Sequence, residues 1–250
     1  MELFWREAPV AEGRAPTLYV HGVPTNSDDY LDFLPRTGGL APDLPGFGRS
    51  GKPAHFPYSI QGFSDVLETF LDEQGVERYS LFVHDWGGAA LGLAQRAPER
   101  VEKLVICNSV PLLPGYRWHR IARLWRTPAA GEVAIGLSTR WAARRARVPE
   151  AVIEESWPHF DQGTQRAILR LYRSSPEDAL ARAGLDLERV SCPALVVWGD
   201  LDPYFAPDFA EAYADALGGE AEVWHLTDAG HWPWHDRTDV IDRIATFLDD

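Results

Sequence analysis

A chain of 250 residues with 24 Lys+Arg against 37 Asp+Glu carries a formal net charge of -13. That balance disfavours nucleic acid and anionic membrane as partners, because both repel an acidic surface. The length suits one large domain, or one domain with an insertion, and can bury a substantial core. Two cysteines, Cys107 and Cys192, sit in or beside apolar runs and are expected to be buried thiols rather than a disulfide.

The N-terminal residues Met1 to Glu7 have no basic region followed by a long apolar one, and no later apolar stretch could span a membrane, so a cytoplasmic protein is expected. Strands are predicted at Leu18 to Val20, Gly39 to Pro42, Tyr79 to Val83, Val101 to Cys107, Ala194 to Trp198 and Glu222 to Leu226. Helical patterns lie between them. The alternation implies an α/β fold with a mostly parallel sheet covered by helices on both faces.

Between Val110 and Val190 the strand pattern stops, and the text becomes helical, with Trp118, Trp125, Trp141 and Trp157 among many arginines. The prediction is a helical cap, residues 111–189, inserted into a core made of residues 1–110 and 190–250. Arginines from Arg117 through Arg126 and from Arg140 through Arg147 could attract an acidic substrate; a solvated cap surface is the plainer reading. No internal repeat or low-complexity tract occurs.

In open parallel sheets, functional groups gather at the carboxyl ends of the strands. Those ends hold His21-Gly22-Val23-Pro24, Asp43, Asp85, Asn108, Asp200 with Asp202, and His231. The segment Leu81-Phe82-Val83-His84-Asp85-Trp86-Gly87-Gly88 reads as a buried strand entering a crowded turn that opens a helix, the context of a nucleophile elbow. Its tip carries an acid. A serine or cysteine there would suit acyl transfer, whereas a carboxylate suits attack on an sp3 carbon bearing a leaving group, giving an ester that water can open. Taken alone, these eight residues also fit a strand-end Asp acting as a helix N-cap.

Four segments, His21-Gly22-Val23-Pro24-Thr25, Asp43-Leu44-Pro45-Gly46-Phe47-Gly48-Arg49-Ser50, His84-Asp85-Trp86-Gly87-Gly88 and Asp228-Ala229-Gly230-His231, together resemble the α/β-hydrolase fold. Within it they resemble the aspartate-nucleophile branch containing haloalkane dehalogenases and epoxide hydrolases. The resemblance covers nearly the whole chain outside the cap. It implies a catalytic triad of Asp85, an acid in Gly199-Asp200-Leu201-Asp202-Pro203, and His231, with Asp202 fitting the family's Gly-x-x-Asp pattern better than Asp200. It also assigns the backbone N–H groups of Val23 and Trp86 to an oxyanion hole. His231 would activate water, because a carboxylate at neutral pH is already ionised. His21 and His84 are read as structural. No cofactor and no metal is expected, and the implied partners are a small apolar organic substrate and water, with a homodimer left open.

The leaving group divides the branch. A halide needs N–H donors, and an epoxide oxygen needs an acidic hydroxyl. Trp86 could supply an indole N–H, but Val23 stands where many dehalogenases carry asparagine, so a cap tryptophan (Trp118, Trp125, Trp141 or Trp157) would have to substitute. Leu171-Tyr172-Arg173 looks like the tyrosine-arginine pair late in the cap of epoxide hydrolases, with Tyr116 as the second tyrosine; packing between cap and core is the competing reading for both. Val83, Thr25 and the Gly46 to Ser50 run with Lys52-Pro53 look more like dehalogenase versions. Because Val23 and Tyr172 would touch the leaving group, epoxide hydrolysis is preferred, with haloalkane dehalogenation as the alternative. Asp85 excludes a serine-type esterase unless another residue takes over, and a non-catalytic binding protein would be expected to have lost a triad member.

Overall fold

The computed structural model describes residues 1–249. Seven strands, β1 (Trp5–Ala8), β2 (Thr17–Val20), β3 (Gly39–Pro42), β4 (Tyr79–Asp85), β5 (Val101–Ser109), β6 (Ala194–Gly199) and β7 (Ala221–Leu226), form one sheet in the order β1-β3-β2-β4-β5-β6-β7. β1 runs antiparallel to β3, with Trp5 opposite Pro42, and the remaining pairs are parallel.

The chain winds outward from β2 to β3, then restarts at β4 on the other side of β2 and winds the opposite way through β5, β6 and β7. That reversal opens a crevice beyond the carboxyl ends of β2 and β4, where such sheets bind ligands. Val23 follows β2 and Asp85 ends β4, so they meet at this point.

Strands buried on both faces read as continuous apolar runs, which is why β4 to β6 are visible in the sequence. Side chains still alternate. On β4, Leu81 and Val83 share one layer with Phe63, Leu67 and Phe70, while Phe82 faces the other layer with Tyr19, Tyr30, Phe33 and Trp234. β1 was not expected from the sequence: it is an edge strand of four residues, Trp5-Arg6-Glu7-Ala8, alternately exposed and half-buried, with no apolar run to reveal it.

Three helices precede β5, namely α1 (Leu34–Thr37), α2 (Ile60–Glu73) and α3 (Leu91–Arg96). Between β5 and β6 lie α4 (Arg120–Arg126), α5 (Ala130–Gly136), α6 (Arg140–Arg145), α7 (Glu150–Ser156), α8 (Gln162–Ser174) and α9 (Glu177–Ala183), and among the described residues of this stretch there is no strand. The chain finishes with α10 (Phe209–Ala216), α11 (Pro233–Asp236) and α12 (Asp239–Asp249). Thus a mostly parallel sheet with helices carries an inserted helical cap.

In the cap, α8 decides what faces the crevice. Asp161 caps it by accepting from the Thr164 backbone N–H at 2.9 Å. Thr164, Ala167, Ile168, Leu171 and Tyr172 recur at three- and four-residue spacing and are buried, so Tyr172 points inward with the apolar face. Arg126 closes the other end, donating to the carbonyls of Tyr172 at 2.6 Å and Ser175 at 2.7 Å. Both cysteines are free thiols, and among the described residues no helix is long and apolar enough to cross a membrane.

Candidate active site

Asp85 stands at φ 49° and ψ -122°, outside the regions open to most residues, and leads into a tight 3₁₀ turn over Trp86–Ala90. Holding a non-glycine residue there costs on the order of 1–3 kcal/mol. The surroundings enforce it by lacking side chains. A Cβ on Gly87 would collide with the Val20 carbonyl oxygen, and one on Gly22 would collide with the Asp85 side chain itself. The turn therefore projects the carboxylate into the crevice while the loop after β2 closes against it.

That closeness gives Asp85 its partners. The Val23 backbone N–H donates to Asp85 Oδ1 at 2.7 Å, and the Trp86 backbone N–H hydrogen-bonds the same carboxylate. His21 braces the loop: its ring makes a 2.7 Å hydrogen bond from Nδ1 to the Gly22 carbonyl, and its Nε2 accepts from the Leu44 N–H at 2.8 Å. These two bonds fix a neutral tautomer with the proton on Nδ1. Burial lowers the His21 pKa, in keeping with that state. Asp43 accepts from the backbone N–H groups of Ser27 and Arg49, both at 2.7 Å, and ties the next loop to the same frame.

His231 approaches from the loop after β7. Its Nδ1–H donates to Asp202 Oδ2 at 2.7 Å, and its Nε2 lies 3.6 Å from Asp85 Oδ2, too far for a hydrogen bond. Asp202 is fully satisfied. Its Oδ2 also accepts from Asn108 Nδ2 at 2.8 Å, and its Oδ1 accepts from the backbone N–H groups of Tyr204 at 2.7 Å and Phe205 at 3.2 Å. Asp200 faces elsewhere, bonded to His225 Nδ1 at 2.6 Å. His84, one residue before Asp85, donates from Nε2 to the His231 carbonyl at 2.8 Å, and burial with the nearby His231 ring holds its pKa well below the ordinary value.

Electrostatics separate the two central groups. Burial pushes the Asp85 carboxyl up to about 6, although His231 and the two backbone N–H groups act against the rise. Burial alone would lower His231, but Asp202, through charge and hydrogen bond, and Asp85 raise it overall. Above about pH 6 Asp85 is an ionised carboxylate, and the neutral form of His231 has an Nε2 that can take a proton, with Nδ1–H held by a second carboxylate.

A cavity of about 360 Å3 rises from Asp85 and His231 into the cap. Its wall includes Val23, Trp125, Ile168, Tyr172, Trp157 and Phe160, and none of its lining residues is Lys or Arg. Tyr172 sits between Trp86, Trp118 and Trp125, with ring centroids 5.1, 4.9 and 5.1 Å away. Burial raises its pKa well above 10, the Asp85 charge adds to this, and the Trp86 indole acts against it. Its hydroxyl donates to no protein acceptor among the described residues.

The other leaving-group candidates are scattered. Tyr116 does not line the cavity; it packs against Trp118, Phe205 and Phe209, with a buried, unpartnered hydroxyl. Trp118 spends its indole N–H on the Ser175 carbonyl at 2.9 Å. Trp141 is 68% exposed, under Arg145, and Trp157 lines the cavity stacked on Phe160. Trp125 lines the cavity with a buried, unpartnered indole N–H, as unpartnered as that of Trp86, which lies behind the wall. Two groups that sequence reasoning missed also line it, His119 and Tyr204, the latter edge-on to His231 at 4.9 Å.

Residues 16–238 match a family model described as alpha/beta hydrolase fold. A haloalkane dehalogenase of Bradyrhizobium diazoefficiens is 28% identical over 95% of this chain and 86% of its own length. Among solved structures, a haloalkane dehalogenase from Bradyrhizobium elkani superposes with a TM-score of 0.82 at 25% identity, covering 99% of this chain and 94% of that one. An epoxide hydrolase from Bacillus megaterium superposes at 0.78 with 21% identity, covering 98% and 96%.

Proposed function

Because the chain belongs to the α/β-hydrolase fold family, we propose that this hydrolase opens a small, uncharged, apolar epoxide through an ester formed on Asp85. In the first step Asp85 attacks a ring carbon, the C–O bond breaks, and the oxygen takes the proton of the Tyr172 hydroxyl. In the second step His231 takes a proton from water through Nε2 as that water attacks the ester carbonyl. Asp202 steadies the resulting imidazolium, and the Val23 and Trp86 N–H groups hold the oxyanion. The bond from the ester carbonyl carbon to the substrate oxygen then breaks, and that oxygen takes the second proton of the water. The diol leaves with Asp85 again a carboxylate, and the proton held by His231 returns to the Tyr172 phenolate.

The reading rests on one observation above the others: Tyr172 is a protonated phenol in the cavity wall, under the influence of the Asp85 charge, with no protein acceptor for its hydroxyl among the described residues. A wall without Lys or Arg argues against an anionic substrate, which would also face the Asp85 carboxylate. The triad and oxyanion groups would come from a core of residues 1–110 and 190–250, and Tyr172 from a cap of residues 111–189.

Haloalkane dehalogenation is the second reading, favoured by the unpartnered indole N–H of Trp125, a cavity-lining residue whose ring lies 5.1 Å from that of Tyr172. The name of the Bradyrhizobium diazoefficiens relative leans the same way. One experiment separates the two. Wild type and Tyr172→Phe are assayed on styrene oxide, cyclohexene oxide, 1-bromobutane and 1,2-dibromoethane for diol and for halide. Epoxide opening should slow by roughly 10- to 1000-fold in the variant, with haloalkane turnover much less affected. Halide release with no diol from any epoxide would replace the first reading by the second.

A further inference from the structure

Among the cavity-lining side chains to which the proposed reaction gives no task is an imidazole, that of His119. His119 stands at the N-terminus of α4, where its Nδ1 accepts from the Ala122 backbone N–H at 3.4 Å. A neutral imidazole that accepts at Nδ1 carries its proton on Nε2, at the opposite edge of the ring. That nitrogen meets no protein acceptor among the described residues. The ring lines the same cavity as Asp85, with its centroid 5.0 Å from Tyr204 and 6.4 Å from Tyr172.

Its charge state is suited to donation. Burial, joined by the charges of His231 and Arg123, lowers the His119 pKa to about 4, with Asp202 acting against them. Wherever Asp85 is ionised, His119 is therefore neutral and holds the single proton that the helix cap assigns to Nε2.

We propose that His119 is a second donor to the leaving atom, its Nε2–H hydrogen-bonding the oxygen or halide expelled as Asp85 forms the ester. The inference rests on Asp85 being the nucleophile. His119 keeps its proton throughout: the electron pair of the broken bond stays on the leaving atom, Tyr172 supplies the proton in the epoxide case, and the imidazole N–H only shares the developing charge. It replaces the donor that Val23 lacks and that Tyr116, turned away from the cavity, does not provide.

The test separates the two half-reactions. In a His231→Gln background, where the ester should persist, its rate of formation is followed by quenched-flow mass spectrometry with styrene oxide, or with 1,2-dibromoethane if only that is turned over by the wild type. His119→Ser keeps a capping oxygen for α4 but has no ring N–H to reach the leaving atom. His119→Asn keeps both a capping oxygen and an N–H. Ester formation should slow about 10- to 100-fold in the serine variant and less in the asparagine variant. With His231 restored, the rate of ester hydrolysis should be unchanged. Formation at the parental rate in both would make His119 a helix cap only. Equal loss in both would assign the effect to ring packing against Tyr204 and overturn the donor role. Absence of any adduct, with or without His119, would instead remove Asp85 as nucleophile and this inference with it.

Discussion

Replacing Asp85 by asparagine should abolish turnover and at the same time stabilise the fold. The carboxyl is held at about 6 against an ordinary 3.8 because it is buried. A difference of about two units, at about 1.4 kcal/mol each, makes the ionised side chain roughly 3 kcal/mol costlier in the folded state than in the unfolded chain. The sign follows from the direction of the shift. A raised folded-state pKa means that the folded protein binds this proton more tightly, so the cost is nearly absent below pH 4, grows as pH rises through 6, and is complete above that. Asparagine removes the charge and keeps an oxygen for the Val23 N–H, but its amide group fits the two backbone donors less well than a carboxyl. Allowing about 1 kcal/mol for that loss leaves a gain of about 2 kcal/mol, which for a chain of this size is about 4–8 °C in Tm. Urea unfolding of wild type and Asp85→Asn at about pH 7.5 and about pH 4.5 measures it, and the gain should shrink at the lower pH. Equal gains at both values, or a loss at the higher one, would refute the argument that burial of this charge is what destabilises the site.

Asp85→Ala should fall below about one per cent of wild-type turnover while remaining folded, since it removes the attacking atom; greater residual activity would count against covalent catalysis. In His231→Gln, alkylation needs no histidine but hydrolysis does, so intact-mass spectrometry after exposure to a turned-over substrate should find an adduct on Asp85. The wild type should show a related pH effect. Ester formation fails as pH falls through about 6 and Asp85 is protonated. Hydrolysis needs His231 neutral, and in the ester, where Asp85 carries no charge, only Asp202 is left to raise it against burial. Turnover should therefore fall as pH drops through about 6, and full activity at about pH 4.5 would contradict an ionised Asp85 as the attacking group.

The sheet was legible where strands are buried on both faces, because Leu81, Phe82 and Val83 must all be apolar whichever layer they enter. β1 was not, since an edge strand pairing through one side leaves Arg6 and Glu7 partly exposed. Asp85, Asp202 and His231 were readable as candidates because each sits in a short motif at a strand end. His119 and Tyr204 carry no such mark: one follows a tryptophan in an arginine-rich stretch, the other follows a proline, and only the closing of the cap over the loop after β6 puts both on one wall. Tyr116 was read both as a leaving-group candidate and as packing between cap and core, and it packs away from the cavity. A tyrosine at the cap entrance can turn toward the crevice or toward Phe205 and Phe209, and local sequence does not encode which packing wins.

The bond from His84 to the His231 carbonyl bears on how such a protein can diverge. His84 is covalently next to Asp85, so this hydrogen bond ties the loop that carries His231 to the strand that carries Asp85 without help from the cap. Tyr172, Trp125 and His119 all come from the stretch between β5 and β6. Under the proposed mechanism, drift in that stretch would alter which atom departs while Asp85, Asp202 and His231, outside it, would be inherited intact. A lineage could thus exchange oxygen for halogen, or the reverse, through a few cap substitutions, and grafting a relative's cap onto this sheet is a practical route to retrace such a change.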